Sequence, residues 1–343
     1  MSDVLTVLAA DAVVAGTAAR LQERLGPGFR VEVPEGEGAF EPERLAVLAS
    51  RADFIVTREL CAPVPAAARR CRLVQAWIAG VDRFDLEAIK RAGLRLSAAH
   101  ENATAVAEQA LGHVLALGRH IVRGDRHLRR GSWSVGFAAG SGPHPGVSGR
   151  TVTVVGYGTI GRAFARLSVG LGFRVIGVRR HPERPLPPGD AATAVVGLEG
   201  LDRALGEADF VLLALPKAPG TVGLIDARRL AAMQPSAWLV QVGRSETVDE
   251  HALFEACRDR RIAGAGIDVW WSYPPAAAYA NGGGVCPPSR FPFQELDNVV
   301  MTPHSSGWTE EARDAQVDFV VANLRRVARG EPPEGLVDLD LGY

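Results

Sequence analysis

Hydrophobic positions in the first hundred residues fall in short runs of strand length: Leu5 to Ala10, Val31 to Val33, Phe54 to Thr57, Leu73 to Trp77 and Leu94 to Ser97. Stretches with helical spacing separate them. Continuous apolar runs of this length suit strands whose two faces are both covered by helices. The pattern predicts an α/β domain of about five strands. A long amphipathic stretch follows, Ala103 to Arg130, with Val106, Ala110, Leu111, Val114, Leu115 and Leu117 at helical spacing. Gly131 to Gly149 is rich in Gly, Ser and Pro and reads as an irregular arm. The alternation then resumes with six candidate strands: Thr151 to Val155, Arg174 to Val178, Phe210 to Leu215, Trp238 to Val242, Ala263 to Ile267 and Val299 to Thr302. Ser272 to Pro292, with Pro274, Pro275, Pro287, Pro288 and the run Gly282 to Gly284, interrupts this rhythm as a loop. Glu310 to Arg329 has helical composition and is expected to return the chain to the first domain.

Length and composition sharpen this picture. A chain of 343 residues, 47% of them hydrophobic, exceeds what one core serves and supplies enough apolar surface for two. A formal net charge of -1 leaves no basic surplus for a polyanion, so nucleic acid is not expected as a partner. Cys61, Cys71, Cys257 and Cys286 form no C-x-x-C pair and no secretory pattern, and read as reduced thiols in a cytoplasmic protein. Leu5 to Ala10 is broken at Asp11 and lacks a basic leader, and no run reaches membrane-spanning length. No His, Cys and carboxylate grouping has metal-ligand spacing.

The chemistry begins at Val154-Val155-Gly156-Tyr157-Gly158-Thr159-Ile160-Gly161, which follows a strand and opens a helix. In a dinucleotide fingerprint Gly156 permits the tight turn, Gly158 lets the backbone approach a pyrophosphate, and Gly161 allows close helix–strand packing. The N–H groups at the helix start, Thr159 and Ile160 among them, face the phosphates. Where an NAD enzyme carries an acidic residue after the second strand, this chain has Arg179-Arg180. Guanidinium groups pair with a 2'-phosphate, so NADP(H) is expected as the preferred cofactor, with NAD(H) possible. The predicted fold is α/β with two domains. A Rossmann doubly wound parallel sheet spans residues 99–308, and a smaller flavodoxin-like substrate domain is built from 1–98 and 309–343.

Ligands of such sheets collect at the carboxyl ends of the strands. Reading the residue after each predicted strand gives the glycines, Arg179, Pro216, Arg244, Asp268 and His304 in turn. With Ala79-Gly80-Val81-Asp82, Ala105-Val106-Ala107-Glu108, Gln241-Val242-Gly243-Arg244, Gly264-Ala265-Gly266-Ile267-Asp268-Val269 and Thr302-Pro303-His304, the chain resembles the D-isomer-specific 2-hydroxyacid dehydrogenases over nearly its whole length. The resemblance implies that Arg244 binds and polarises the substrate and that His304 donates the proton to the nascent alkoxide. It implies that Ala79 and Gly80 hold the carboxylate by backbone N–H groups, that Asp268 orients the nicotinamide, and that Val106, Pro216 and Val242 lie beside the cofactor. Asn102, with His100 and Glu101 at the domain junction, is expected to line the cleft, and Trp77, Trp270, Trp271 and Tyr273 are read as an apolar rim. The stretch 103–149 resembles the helical arm through which these enzymes pair, and its long apolar face supports a homodimer.

One position departs from the family. Its Asp-Val-Phe-x-x-Glu-Pro pattern reads here Asp268-Val269-Trp270-Trp271-Ser272-Tyr273-Pro274, so Tyr273 replaces the glutamate that pairs with the histidine. A phenol is neutral at pH 7 and cannot stabilise imidazolium as a carboxylate does. His304 is therefore expected to titrate lower than in its relatives unless Glu295 or another loop acid reaches it. The leading expectation is reduction of a 2-keto acid to a D-2-hydroxy acid. Oxidation of a small oxyanion such as formate or phosphite, and a non-catalytic NAD(P)-sensing role, are the alternatives.

Overall fold

The computed structural model describes residues 4–135, 146–275 and 284–343. The middle of the Gly-rich arm and part of the Ser272 to Pro292 loop, including Gly282 and Gly283, lie outside the described residues. The chain divides into two compact units, residues 1–102 with 309–343, and residues 103–308.

The first unit holds a five-stranded sheet of β1 (Leu5–Ala9), β2 (Phe29–Glu32), β3 (Phe54–Thr57), β4 (Leu73–Ala76) and β5 (Leu96–Ala98). All pairings are parallel, in the order β2-β1-β3-β4-β5 of flavodoxin-like sheets. Both faces are covered. Val317, Val320 and Leu324 of the helix Glu310–Ala328 pack with Val14 and Leu21 against one face, and Leu45, Ile89 and Val337 belong to the cluster on the other. That double burial is why the inner strands β1, β3 and β4 read as largely apolar runs, whereas the edge strand β2, with no buried position, does not. Trp77 is 3% exposed within the first of these clusters, so it is a core residue and the expected substrate rim loses it.

The second unit holds β6 (Thr151–Val155), β7 (Arg174–Val178), β8 (Ala194–Val196), β9 (Phe210–Leu213), β10 (Trp238–Gln241), β11 (Gly264–Ile267) and β12 (Val299–Met301). They form one parallel sheet in the order β12-β11-β10-β9-β6-β7-β8. The chain direction across the sheet reverses between β6 and β9, the switch point at which doubly wound sheets bind ligands. The sequence pattern predicted six strands here and the sheet has seven. The extra one, β8, is a three-residue edge strand with no buried position, so it leaves no apolar run to detect.

The helical stretch after residue 102 is two helices, Ala103–Gly118 and Ile121–Leu128, broken at His120, whose φ is 53°. Val106, Ala110, Val114 and Leu117 are buried together with Val152, Phe210, Leu212 and Val240 of the sheet. The apolar face that argued for pairing between chains is thus covered by its own unit, with Val106 packed in that core. The second helix buries nothing, and Ile121 and Leu128 on it, with Trp133 beyond, are exposed. Among the described residues no helix is long and apolar enough to cross a membrane, and no cluster of His, Cys, Asp and Glu could hold a metal ion.

Candidate active site

The glycine turn joins β6 to the helix Thr159–Ser168. Gly156 has φ 95°, and a Cβ there would lie 2.6 Å from the Ala214 carbonyl oxygen, so only glycine fits. A Cβ at Gly161 would lie 2.8 Å from Val154 Cγ1, which measures how closely the helix approaches the strand. Gly158 is different: it is exposed, and a Cβ there would meet nothing within 4 Å. The open space beside it faces the first helical turn, where the N–H groups of Thr159 and Ile160 have no intrahelical acceptor. An uncrowded approach with orphan donors and the positive end of a helix fits a dinucleotide phosphate. Tyr157, not singled out in the sequence, locks the turn. Its hydroxyl donates to Asp190 Oδ1 at 2.6 Å, Arg162 Nε reaches Asp190 Oδ2 at 2.8 Å, and its ring fills the space that a Cβ on Gly177 of β7 would occupy.

The two arginines after β7 part company. Arg179 is half-buried and donates to the carbonyls of Pro182, at 3.3 Å, and Arg184, so it buttresses its own loop. Arg180 is exposed, with its guanidinium 3.4 Å from where a Gly220 Cβ would sit in the loop after β9. In that loop the Pro216 carbonyl accepts from Thr221 Oγ1 at 2.6 Å.

Arg244 follows β10. The buried Gln241, also missed, organises its turn: Nε2 donates to the Arg244 carbonyl and to Thr247 Oγ1, both at 3.0 Å, and Oε1 accepts from the Gly243 N–H at 3.1 Å. Val242 is buried and hydrogen-bonded through its N–H to the Leu213 carbonyl. The arginine backbone is clamped while its side chain stays half-exposed.

His304 follows β12 and is exposed, with φ 55°, a left-handed conformation uncommon for a residue with a side chain. Asp268 holds the turn. Its Oδ1 accepts from Thr302 Oγ1 at 2.5 Å and from the Ser305 N–H at 3.1 Å, and its Oδ2 from the Ser306 N–H at 3.1 Å. Burial pushes this carboxyl upward, but hydrogen bonds from Ser306 and Thr302 outweigh it and hold the pKa below the usual carboxylate value. Asp268 has no exposed surface, and its hydrogen bonds hold the His304 turn.

Tyr273 Oη lies 2.9 Å from His304 Nδ1 and accepts from the Trp270 N–H at 2.9 Å. Trp270 is 4% exposed, so it too leaves the expected rim. Its carbonyl accepts from Ser245 Oγ at 2.7 Å and its Nε1–H donates to the Thr302 carbonyl at 2.8 Å. It therefore touches the turns of both Arg244 and His304, which leave neighbouring regions of one sheet edge because β10, β11 and β12 are adjacent. Trp271 stacks on Phe293, and Glu295 is exposed in the short helical turn Phe293–Glu295. In the first unit, Ala79 and Gly80 are half-buried after the carboxyl end of β4. Asn102 ends that unit with a buried Oδ1 that has no recorded hydrogen bond, and His100 Nδ1 lies 3.3 Å from the Ala98 carbonyl.

Residues 111–306 match the family model described as D-isomer specific 2-hydroxyacid dehydrogenase, NAD binding domain. A glyoxylate reductase from Pyrococcus furiosus is 34% identical over 325 residues, covering 91% of this chain and 90% of that protein. Among solved structures, a D-isomer specific 2-hydroxyacid dehydrogenase from Xanthobacter autotrophicus, in complex with NADPH and MES, aligns with TM-score 0.79 and 26% identity over 99% of this chain and 100% of that one. An NADPH-dependent glyoxylate/hydroxypyruvate reductase from Sinorhizobium meliloti, in complex with NADP and malonate, aligns with TM-score 0.72 and 25% identity over 99% and 98%. With strand order, glycine turn and paired rim residues in agreement, the chain belongs to the D-isomer specific 2-hydroxyacid dehydrogenase family and is an oxidoreductase.

Proposed function

We propose that the protein reduces a 2-keto acid to the D-2-hydroxy acid with NADPH, Arg244 binding the substrate carboxylate and His304 supplying the proton. The observation that carries this is the link through Trp270 between the Arg244 turn and the Tyr273–His304 pair. The bound nicotinamide supplies the hydride. Arg244, a planar and permanently charged fork, matches a carboxylate and polarises the neighbouring carbonyl. His304 protonates the developing alkoxide through Nε2 while Nδ1 faces the phenol. One lone pair of that phenol accepts from Trp270, and its proton is available to Nδ1 of a neutral imidazole. Such a bond favours the neutral ring, so proton donation declines earlier as pH rises than it would beside a carboxylate.

NADPH over NADH rests on Arg180 at the end of β7, supported by the NADPH complex of one structural relative and the NADP complex of an NADPH-dependent one. The neutral partner of His304 also favours a second reading, oxidation of a small oxyanion that needs no proton donor. NADPH consumption across a panel of 2-keto acids, with formate and phosphite run in reverse with NADP and NAD, separates the two. Turnover of a keto acid that falls at least about a hundredfold in Arg244→Ala is expected; turnover of only the oxyanions overturns the reading. A homodimer contacting through Ile121, Leu128 and Trp133 is part of the proposal, and a monomer in sedimentation equilibrium refutes it.

A further inference from the structure

We propose that His113 is a positioning residue for His304, acting through Thr302 and Asp268 on the turn that carries the imidazole. The inference rests on the reading of His304 as proton donor. His113 sits in the helix Ala103–Gly118, on the face shared by Ala110, Val114 and Leu117, and is 2% exposed. Its ring lies against β11, where a Cβ on Gly266 would come within 2.7 Å of Nδ1. Its Nε2 is 3.1 Å from Thr302 Oγ1.

The proton positions follow from the partners. An ionised carboxylate only accepts, so Thr302 directs its hydroxyl proton to Asp268 Oδ1. The hydroxyl oxygen then accepts from His113, which places the imidazole proton on Nε2. Nδ1 is left as a bare acceptor, buried and without a hydrogen-bond partner. A buried imidazole with one unsatisfied nitrogen is a poorer core residue than a leucine of similar volume. Packing alone does not account for it, whereas the bond from Nε2 does. That bond fixes the Thr302 hydroxyl toward Asp268, and Asp268 in turn holds the N–H groups of Ser305 and Ser306. The contacts bracket His304 from both sides and hold it at φ 55°.

The test uses the full-length protein, NADPH and whichever 2-keto acid of the panel is reduced fastest. His113→Leu keeps the volume and deletes the bond; kcat is expected to fall about three- to tenfold, with KM and the Kd for NADPH within about twofold. His113→Gln, whose amide N–H can reach the same oxygen, should recover most of the loss. Unchanged kcat in His113→Leu, or a His113→Gln as poor as His113→Leu, overturns the inference. His304→Asn serves as the reference: its kcat should collapse, and a His304→Asn enzyme that retains kcat overturns the proton-donor reading and this inference with it. Collapse of His304→Asn beside an unaffected His113→Leu overturns this inference alone. Should His113→Leu fail to fold, Thr302→Val replaces it. Its loss should be at least as large as that expected of His113→Leu, because the bond to Asp268 goes with the bond to His113, and an unchanged kcat in Thr302→Val refutes the relay.

Discussion

Replacing Asp268 by Asn tests how His304, proposed as the proton donor, is held. The carboxylate accepts from the Thr302 hydroxyl, the Ser305 N–H, and both the N–H and the side chain of Ser306. The amide keeps one acceptor oxygen, which can serve Thr302 and Ser305. Its NH2 group then meets the Ser306 N–H, donor against donor, at a site with no exposed surface. Losing one bond to a charged acceptor, worth about 1.5–3 kcal/mol, and leaving a buried donor unmet, at about 1–3 kcal/mol, together destabilise the fold by roughly 2.5–6 kcal/mol. The cost should fall with acidity. Because the folded pKa of Asp268 lies below its unfolded value, its contribution is fully present above the ordinary carboxylate range and is lost as pH falls through the lowered folded value. Urea denaturation of both proteins at neutral and acid pH reads this as a difference that shrinks in acid. The released His304 turn should also lower kcat by about a hundredfold, the cost of misplacing a reacting group by about 1 Å. A stability loss under about 0.5 kcal/mol at neutral pH, or wild-type kcat, refutes the clamp.

Tyr273→Phe removes the phenol oxygen from His304 Nδ1 and from the Trp270 N–H; kcat should fall about two- to tenfold, and the decline of kcat/KM for reduction should shift to higher pH, because a bond that favours neutral imidazole is gone. A shift to lower pH contradicts the assigned direction of that bond. Arg180→Ala should raise KM for NADPH about tenfold while leaving KM for NADH unchanged, and equal effects on the two cofactors would remove Arg180 from the 2'-phosphate. Arg179→Ala should instead lower the melting temperature with little change in cofactor preference, since its donors serve the Pro182 and Arg184 carbonyls; loss of NADPH preference there would restore the original expectation.

What the sequence reveals depends on burial. Strands such as Phe54–Thr57 and Thr151–Val155 are covered on both faces, so hydrophobicity alone marks them almost to the residue. Ala194–Val196 lies at a sheet edge with its residues exposed or half-buried, and no apolar run betrays it. The glycine turn is legible because each glycine answers a steric demand set by its neighbours in space, at Ala214 and Val154, and those demands recur at fixed spacing. Arg179 and Arg180 are not separable by sequence, since adjacent residues at a strand end leave in different directions and only the loop decides which is tied down. The polar residues that organise the rim were visible only as anomalies: His113 within an apolar helical stripe, and Gln241 at the end of a strand otherwise buried and apolar.

Trp270 shows why aromatic residues near a site are the hardest to assign. Composition offers two environments for a tryptophan, a half-exposed rim or a core, and the deciding question is whether its N–H finds an acceptor. Here all three polar atoms of the residue are engaged, and each reaches a different element: the carbonyl takes Ser245 beside Arg244, the backbone N–H takes the Tyr273 phenol, and Nε1–H takes the Thr302 carbonyl before His304. Phenylalanine would fill much of the same volume against Phe293 but would leave the Thr302 carbonyl without its donor. The order β12-β11-β10 brings the turns of Arg244 and His304 to one edge of the sheet, two strand spacings or about 10 Å apart. Trp270 ties the two turns together through its backbone carbonyl, its backbone N–H and its indole N–H, so an assignment made from rim residues alone omits the buried residue that links them.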